Sequence, residues 1–277
     1  MINDWLAFWD SKHFIYVNAR HKDVHYRLIS SQLAALVSGP QARVLDYGAG
    51  EALHADYIAA AAGELLLCEA APGVREKLQR RWAANRKIRV LAPHEIARLP
   101  EHSLDVVVLH SVVQYLTTTG TGALLALFHR LLKPGGLLVI SDVIQPNVLA
   151  AADAIALLRF AKANGFFLAA AWGLLRTRLS DYWRLRSRLG LTRYAEAEMI
   201  AKLQAAGFSA ERAPRNIGHN QARMAFYARA RCAAAENRRR APSCAPAPNA
   251  DWPRSNRINR ICSPSAGRPL PGPQFLV

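Results

Sequence analysis

The sequence predicts an α/β fold, a parallel sheet with helices on both faces, on three observations. From residue 43 onward, short apolar runs alternate with segments of helical pattern, as βα units require. The first run turns through a glycine pair, Gly48 and Gly50, just after a carboxylate, Asp46. The second, Leu65-Leu66-Leu67-Cys68, closes on another carboxylate, Glu69. A chain of 277 residues, 51% of them apolar, can hold one large α/β domain with an appendage and bury a sizeable core.

The first 22 residues are rich in aromatics and histidines, among them Trp5, Trp9, Tyr16 and His21, without a long period. A short helix and then an extended arm over 14–20 are expected. Asp23 can cap a helix over 23–37, which Ser38-Gly39-Pro40 ends. Strands are expected near 43–47, 65–69, 88–91, 104–110 and 137–141, with helices over 51–62, 72–84 and 121–132 between them. Right-handed crossovers place every loop at a strand's carboxyl end on one edge, where ligands bind.

After Asp142 the alternation stops. Residues 147–193 read as helical, with an apolar block over 166–175 and then a series of arginines. The block is shorter than the roughly 20 residues a membrane-spanning helix needs. It is read as a helical lid over the pocket, because an insertion here sits beside the ligand edge; the other reading is a basic amphipathic segment, 160–190, lying on a bilayer. Alternation resumes with a helix over 195–206, stopped by Gly207, and strands over 208–213 and 222–229. The organisation is therefore an amino-terminal arm and helix (1–40), the α/β domain (41–231) and a tail (232–277). The tail holds 8 of the 15 prolines and few aliphatic residues, so it is expected to be disordered.

A strand, a glycine turn and a helix start bring backbone N–H groups to a ligand. On those residues alone an ordinary strand-to-helix turn explains the pattern equally well. Glu69 adds to it, because an acid ending the second strand about 20 positions after the glycine loop can accept both hydroxyls of a ribose. A nicotinamide dinucleotide and S-adenosylmethionine both carry such a ribose. The dinucleotide loop has a third glycine where this chain has Leu53, and Asp46 puts negative charge where a pyrophosphate would lie. A ligand bearing an ammonium and a sulfonium tolerates that charge; a diphosphate does not.

The segment Val44-Leu45-Asp46-Tyr47-Gly48-Ala49-Gly50, with Glu69, resembles the first motif and the ribose-binding acid of the class I S-adenosylmethionine-dependent methyltransferases. Leu99-Pro100-Glu101-His102-Ser103-Leu104-Asp105-Val106-Val107-Val108 is similar to their fourth-strand region, and Leu131-Leu132-Lys133-Pro134-Gly135-Gly136-Leu137-Leu138 to the turn into their fifth strand. The resemblance implies a Rossmann-like sheet of seven strands, mostly parallel with the last antiparallel, and S-adenosylmethionine as cofactor. It implies that Asp46, Gly48, Ala49 and Gly50 hold the methionine half and Glu69 the ribose. Ala70 and Ile96 would wall the adenine, and Glu95 would contact its amino group. His110, after the fourth strand, would line the pocket or serve as a base, and Tyr16, Asn18, His21, His25 and Tyr26 could close over the cofactor, with His21 a second catalytic candidate.

The 36 Lys and Arg against 20 Asp and Glu favour an anionic partner without choosing one. Seven of those arginines follow Cys232, in the tail. The nucleic-acid amino-methylating members carry Asp/Asn-Pro-Pro-aromatic where this chain reads His110-Ser111-Val112-Val113, so nucleic acid is disfavoured and a small or lipid-like acceptor is expected. The alternatives are RNA modification and a non-catalytic protein that kept the fold. The four cysteines are too widely spaced for a zinc site or disulfide framework, and no metal is expected, though Asp142 leaves one open. The amino terminus does not read as a signal peptide, which points to the cytoplasm.

Overall fold

The computed structural model describes residues 2–11, 16–177 and 190–231. All of these belong to one compact unit, Met1–Cys232. The tail assigned to 232–277, and the arginine-bearing stretch 178–189, lie outside the described residues.

Seven strands form one sheet: β1 (Arg43–Tyr47), β2 (Glu64–Cys68), β3 (Ile88–Leu91), β4 (Leu104–His110), β5 (Leu132–Val143), β6 (Phe208–Arg212) and β7 (Met224–Ala230). Their order is 3-2-1-4-5-7-6. The first five are parallel, and β7 runs antiparallel between β5 and β6, the topology that the sequence resemblance implied. Strand order reverses between β1 and β4, the place where open α/β sheets bind ligands.

Strands buried on both faces read as unbroken apolar runs, and adjacent side chains go to opposite layers. Leu45, Leu66, Val107 and Phe226 pack beneath α6 (Thr118–Leu131) and a helix at Glu196–Ala205. Val44, Leu65, Val106 and Val139 pack beneath α2 (Ala19–Ala34) and α3 (Ala55–Ala61). The other α-helices among the described residues are α1 (Ile2–Asp10), α4 (Pro72–Trp82), the single turn α5 (Pro93–Ile96), α7 (Ala150–Ala163) and α8 (Phe167–Thr177), and Glu196–Ala205 is labelled α9.

Several boundaries differ from expectation, each for a local reason. α2 begins at Ala19 rather than at Asp23, because Asn18 is the cap: its side chain accepts the His21 N–H at 2.8 Å. α3 begins at Ala55 rather than near Glu51. Gly50 (φ +59°) and Ala52 (φ +37°) are left-handed, so 51–54 form a turn in which Tyr26 Oη accepts the Glu51 N–H at 3.0 Å. β5 runs 132–143, longer at both ends than 137–141, since Leu132 pairs with Leu104 and Val143 with Met224 across register shifts. Among its described residues the insertion carries helices α7 and α8, and Ala161, Ala170 and the intervening Phe166 pack against Val17 of the arm and Val24 of α2.

Candidate functional site

The carboxyl ends of β1, β2, β4 and β5 open on a cavity of about 520 Å³. Its floor is the glycine turn after β1. Gly48 (φ +81°) and Gly50 hold a conformation that side chains resist, and the Gly48 and Ala49 N–H groups donate to Cys68 O at 2.8 and 3.1 Å. Glu69, at the end of β2, ties the same turn to β2: one carboxylate oxygen accepts the Gly50 N–H at 2.9 Å and the other the Ala71 N–H at 2.8 Å. Each oxygen keeps acceptor capacity for a ligand hydroxyl.

Asp46 is buried at the foot of this turn, and its carboxylate makes no hydrogen bond among the described residues. Burial, and then the nearby Glu69 charge, push its carboxyl up to about 7. A buried carboxylate without a donor is costly, and a cationic ligand group would relieve it. Burial raises Glu69 as well, against the pull of the backbone N–H groups it accepts.

Although the chain carries a net charge of +16, among the described residues the cavity is lined by Asp46, Glu51, Glu69, Asp142 and Asp153 against a single guanidinium, Arg223. That cation is already committed to Asp153 through bonds of 2.7 and 3.1 Å. The lining therefore suits a ligand that brings positive charge.

The arm forms the opposite wall. Tyr16, His21, His25 and Tyr26 all face the cavity, and Lys22 pairs with Glu51 of the glycine turn. Burial depresses every histidine here. His21 falls to about 4, with His219 as the second cause, and His25, His110 and His219 are also lowered. His21 lies flat on Phe166, ring centroids 5.0 Å apart, and its Nδ1 takes the Val17 N–H. So weak a base is suited to lining the pocket rather than to proton transfer.

His110 ends β4, its Nδ1 2.8 Å from Ser141 Oγ. Next to it Ser111 (φ +56°) and Asp142 (φ +63°), at the ends of neighbouring strands, are both left-handed. The Ser111 hydroxyl donates to Asp142 at 2.5 Å. Two strained residues joined across one sheet edge are found where a site over-determines its backbone. Asp142 N–H donates in turn to Asn216, Asn216 to the Asn220 carbonyl, and Asn220 to Asp153.

Of the residues assigned from sequence, Asp46, Gly48, Ala49, Gly50, Glu69, Ala70, His21 and His110 come together in this cavity. Glu95 and Ile96 do not. The exposed Glu95 carboxylate turns back to accept the Ala92 N–H at 2.7 Å, capping α5, and Ile96 is fully buried in the core beneath the sheet. Sequence reasoning missed His219 and Asn220, in the loop before β7, and took Trp5 and Trp9 only as part of an aromatic-rich terminus. The long polar stretch between the last two strands is the sequence feature that marks the first two. Among the described residues no group of three His, Cys, Asp or Glu side chains is placed to hold a metal ion.

The sheet order, the glycine turn and the two acids are the arrangement that class I S-adenosylmethionine-dependent methyltransferases share. Residues 45–140 match the family model of a methyltransferase domain, a family whose cofactor is S-adenosylmethionine. Solved structures carry the same fold at low identity. The N-methyltransferase NodS of Bradyrhizobium japonicum, solved with S-adenosylhomocysteine, is 15% identical over 83% of this chain and 98% of its own, with a TM-score of 0.52. The 1,6-didemethyltoxoflavin-N1-methyltransferase of Burkholderia thailandensis, also holding S-adenosylhomocysteine, is 20% identical over 83% and 87%, with a TM-score of 0.51. No curated protein matches the chain.

Proposed function

We propose that the chain binds S-adenosylmethionine against Asp46, the 48–50 turn and Glu69, and transfers its methyl group to a small or lipid-like acceptor held under the arm and α7. The observation that carries this reading is the acidic cavity in a basic chain, with Asp46 buried and lacking a donor. The bound donor would supply a methyl on a positively charged sulfur. The residues of this chain would supply position and dryness, since in-line displacement gains most from near-attack geometry. Leu157, Ile144 and Trp5 give the acceptor side an apolar lining, which favours an acceptor with apolar bulk. The Burkholderia thailandensis enzyme of this fold holds 1,6-didemethyltoxoflavin beside S-adenosylhomocysteine, and its example supports a small acceptor here.

Glu69→Ala should weaken S-adenosylmethionine binding at least ~10-fold by isothermal titration, the loss expected when charge-assisted bonds go. Wild-type affinity in that variant would remove Glu69 from the ribose. Transfer of a labelled methyl group into aqueous and organic fractions of a cell extract would locate the acceptor class.

Within this reading His110 takes the acceptor's proton. Its pKa is lowered, so it stays neutral above the ordinary histidine value, and the acid limb of the rate profile should fall below about pH 6.5. His110→Ala should lower kcat by about 100-fold, the lower end for a lost general base, remove that limb, and leave S-adenosylmethionine affinity within ~3-fold. The same rate and profile in the variant would show that His110 only lines the pocket.

A further inference from the structure

The roof of the cavity has an outer face that the reading above leaves unused. Among the described residues seven large apolar side chains are exposed, and six of them, Leu149, Ile155, Phe167, Leu168, Trp172 and Leu175, belong to the insertion. On α8 Leu168 is 83% exposed, Trp172 62% and Leu175 61%. Spacings of four and three residues put these three on one side of the helix. The other side is already used: Ala170 is fully buried, and a Cβ at Gly173 would overlap Val17 of the arm. α8 therefore packs by its small residues and presents its large ones to solvent, the reverse of a core helix.

The charges around this face have one sign. Among the described residues 154–177 there is no Asp or Glu and there are three cations, Arg159, Lys162 and Arg176. Arg159 and Arg215 line an open groove of about 730 Å³ beside Ile155 and Phe160, and among the described residues neither guanidinium has an ion-pair or hydrogen-bond partner. Two copies of a face this basic would repel one another, whereas an anionic lipid surface would be attracted. A tryptophan and leucines on a short helix flanked by arginines and lysine suit the boundary between headgroups and acyl chains. No described helix is long and apolar enough to cross a membrane, so the contact would be peripheral.

We infer that α7 and α8 dock the protein on anionic bilayers, with Leu168, Trp172 and Leu175 inserted at the interface and Arg159 and Arg215 meeting headgroups. The inner side of the same helices contributes Asp153 and Leu157 to the cavity and lays Phe166 on His21, so a docked molecule would hold its site against a source of lipid acceptors. The docking itself does not depend on the methyltransferase reading, since it is measured without donor or acceptor.

Co-sedimentation of the full-length chain with phosphatidylcholine vesicles, with and without 30% phosphatidylglycerol (roughly the charge density at which single basic residues count), tests it. Binding should appear with the anionic vesicles and fall at least ~10-fold in a Leu168→Ser, Trp172→Ser, Leu175→Ser variant, the loss expected when three apolar anchors go. Arg159→Gln with Arg215→Gln should weaken it by ~5-fold or more, about 1 kcal/mol per cation. Unchanged S-adenosylmethionine affinity in both variants shows that the fold is kept; a variant that loses it is replaced by Trp172→Ser alone, which should still lose at least ~3-fold. Undiminished vesicle binding in the serine variant would place the contact elsewhere, the basic tail included, and overturn the inference. So would a concentration-dependent dimer in sedimentation velocity that the serine variant abolishes, because the face would then belong to a second copy.

Discussion

Asp46→Asn is expected to raise the melting temperature of the ligand-free protein while lowering its affinity for S-adenosylmethionine by at least ~10-fold, about 1.4 kcal/mol. The first effect follows from the sign of the pKa shift. The Asp46 carboxyl is raised from 3.8 to about 7 in the fold, so ionisation opposes folding. Below about pH 4 the group is protonated whether folded or unfolded and costs nothing; the cost grows as pH rises towards 7 and is constant above it. A shift of this size has a ceiling of roughly 4 kcal/mol, reduced by solvent in the open cavity. A gain of ~3 °C or more at pH 8 is expected, with little change at pH 4. The second effect has the opposite origin, since the amide cannot pair with a cation. Wild-type affinity should therefore climb with pH up to about 7, as Asp46 gives up its proton to receive the ligand, and the asparagine variant should lose that dependence. Differential scanning calorimetry and isothermal titration at pH 4 and pH 8 read both. A variant that is less stable at pH 8 and binds as tightly as wild type would contradict the assignment.

Gly48→Ala is the second large effect. The residue sits at φ +81°, where a Cβ costs roughly 1–2 kcal/mol in backbone strain, and the added Cβ would overlap Val112 Cγ2, which adds about 1–3 kcal/mol. A loss of ~3 kcal/mol by urea unfolding is expected. The turn would be forced from the position in which its N–H groups reach Cys68 O, so cofactor affinity should fall with stability. Val112→Ala removes the overlapping methyl but not the positive φ. Gly48→Ala with Val112→Ala should therefore recover part of the loss, and the remainder measures the strain. Full stability in Gly48→Ala alone would mean that the turn is looser than its geometry indicates.

The parallel strands could be read from sequence because strands covered on both faces are apolar throughout: Leu65 to Leu67 and Val106 to Leu109 have no exposed side to encode. The glycine turn with its two acids was legible for a different reason, since positive φ and close backbone approach restrict what can stand at Gly48 and Gly50. Features set by distant chain segments were less visible. α3 starts late because Tyr26, from α2, takes the Glu51 N–H, a contact between residues 25 positions apart. His219 and Asn220 reach the cavity only because β7 inserts beside β5 and carries its leading loop to that edge. Glu95 lies outside the cavity because a one-turn helix after β3 draws its carboxylate back to the Ala92 amide, a local competition that spacing from β3 does not reveal.

The apolar side chains on α8 illustrate the converse. A lid and a bilayer-facing helix have the same composition, and the two readings of 147–193 were divided by which residues face inward. The fold gives each a side: Phe166 and Ala170 close the roof, while Leu168, Trp172 and Leu175 remain outside. Lid and surface contact are then compatible roles of one helix pair.

The central claim is that the acidic cavity between β1 and β4 accepts a positively charged, ribose-bearing donor. Titrating the full-length protein at pH 8 with S-adenosylmethionine, and separately with NADH, puts it to the most direct test. One S-adenosylmethionine should bind per chain, with NADH giving no heat and failing to compete even at tenfold excess, on the order of the discrimination that an unpaired diphosphate beside Asp46 would impose. NADH binding in competition with S-adenosylmethionine, or in its place, would contradict the account.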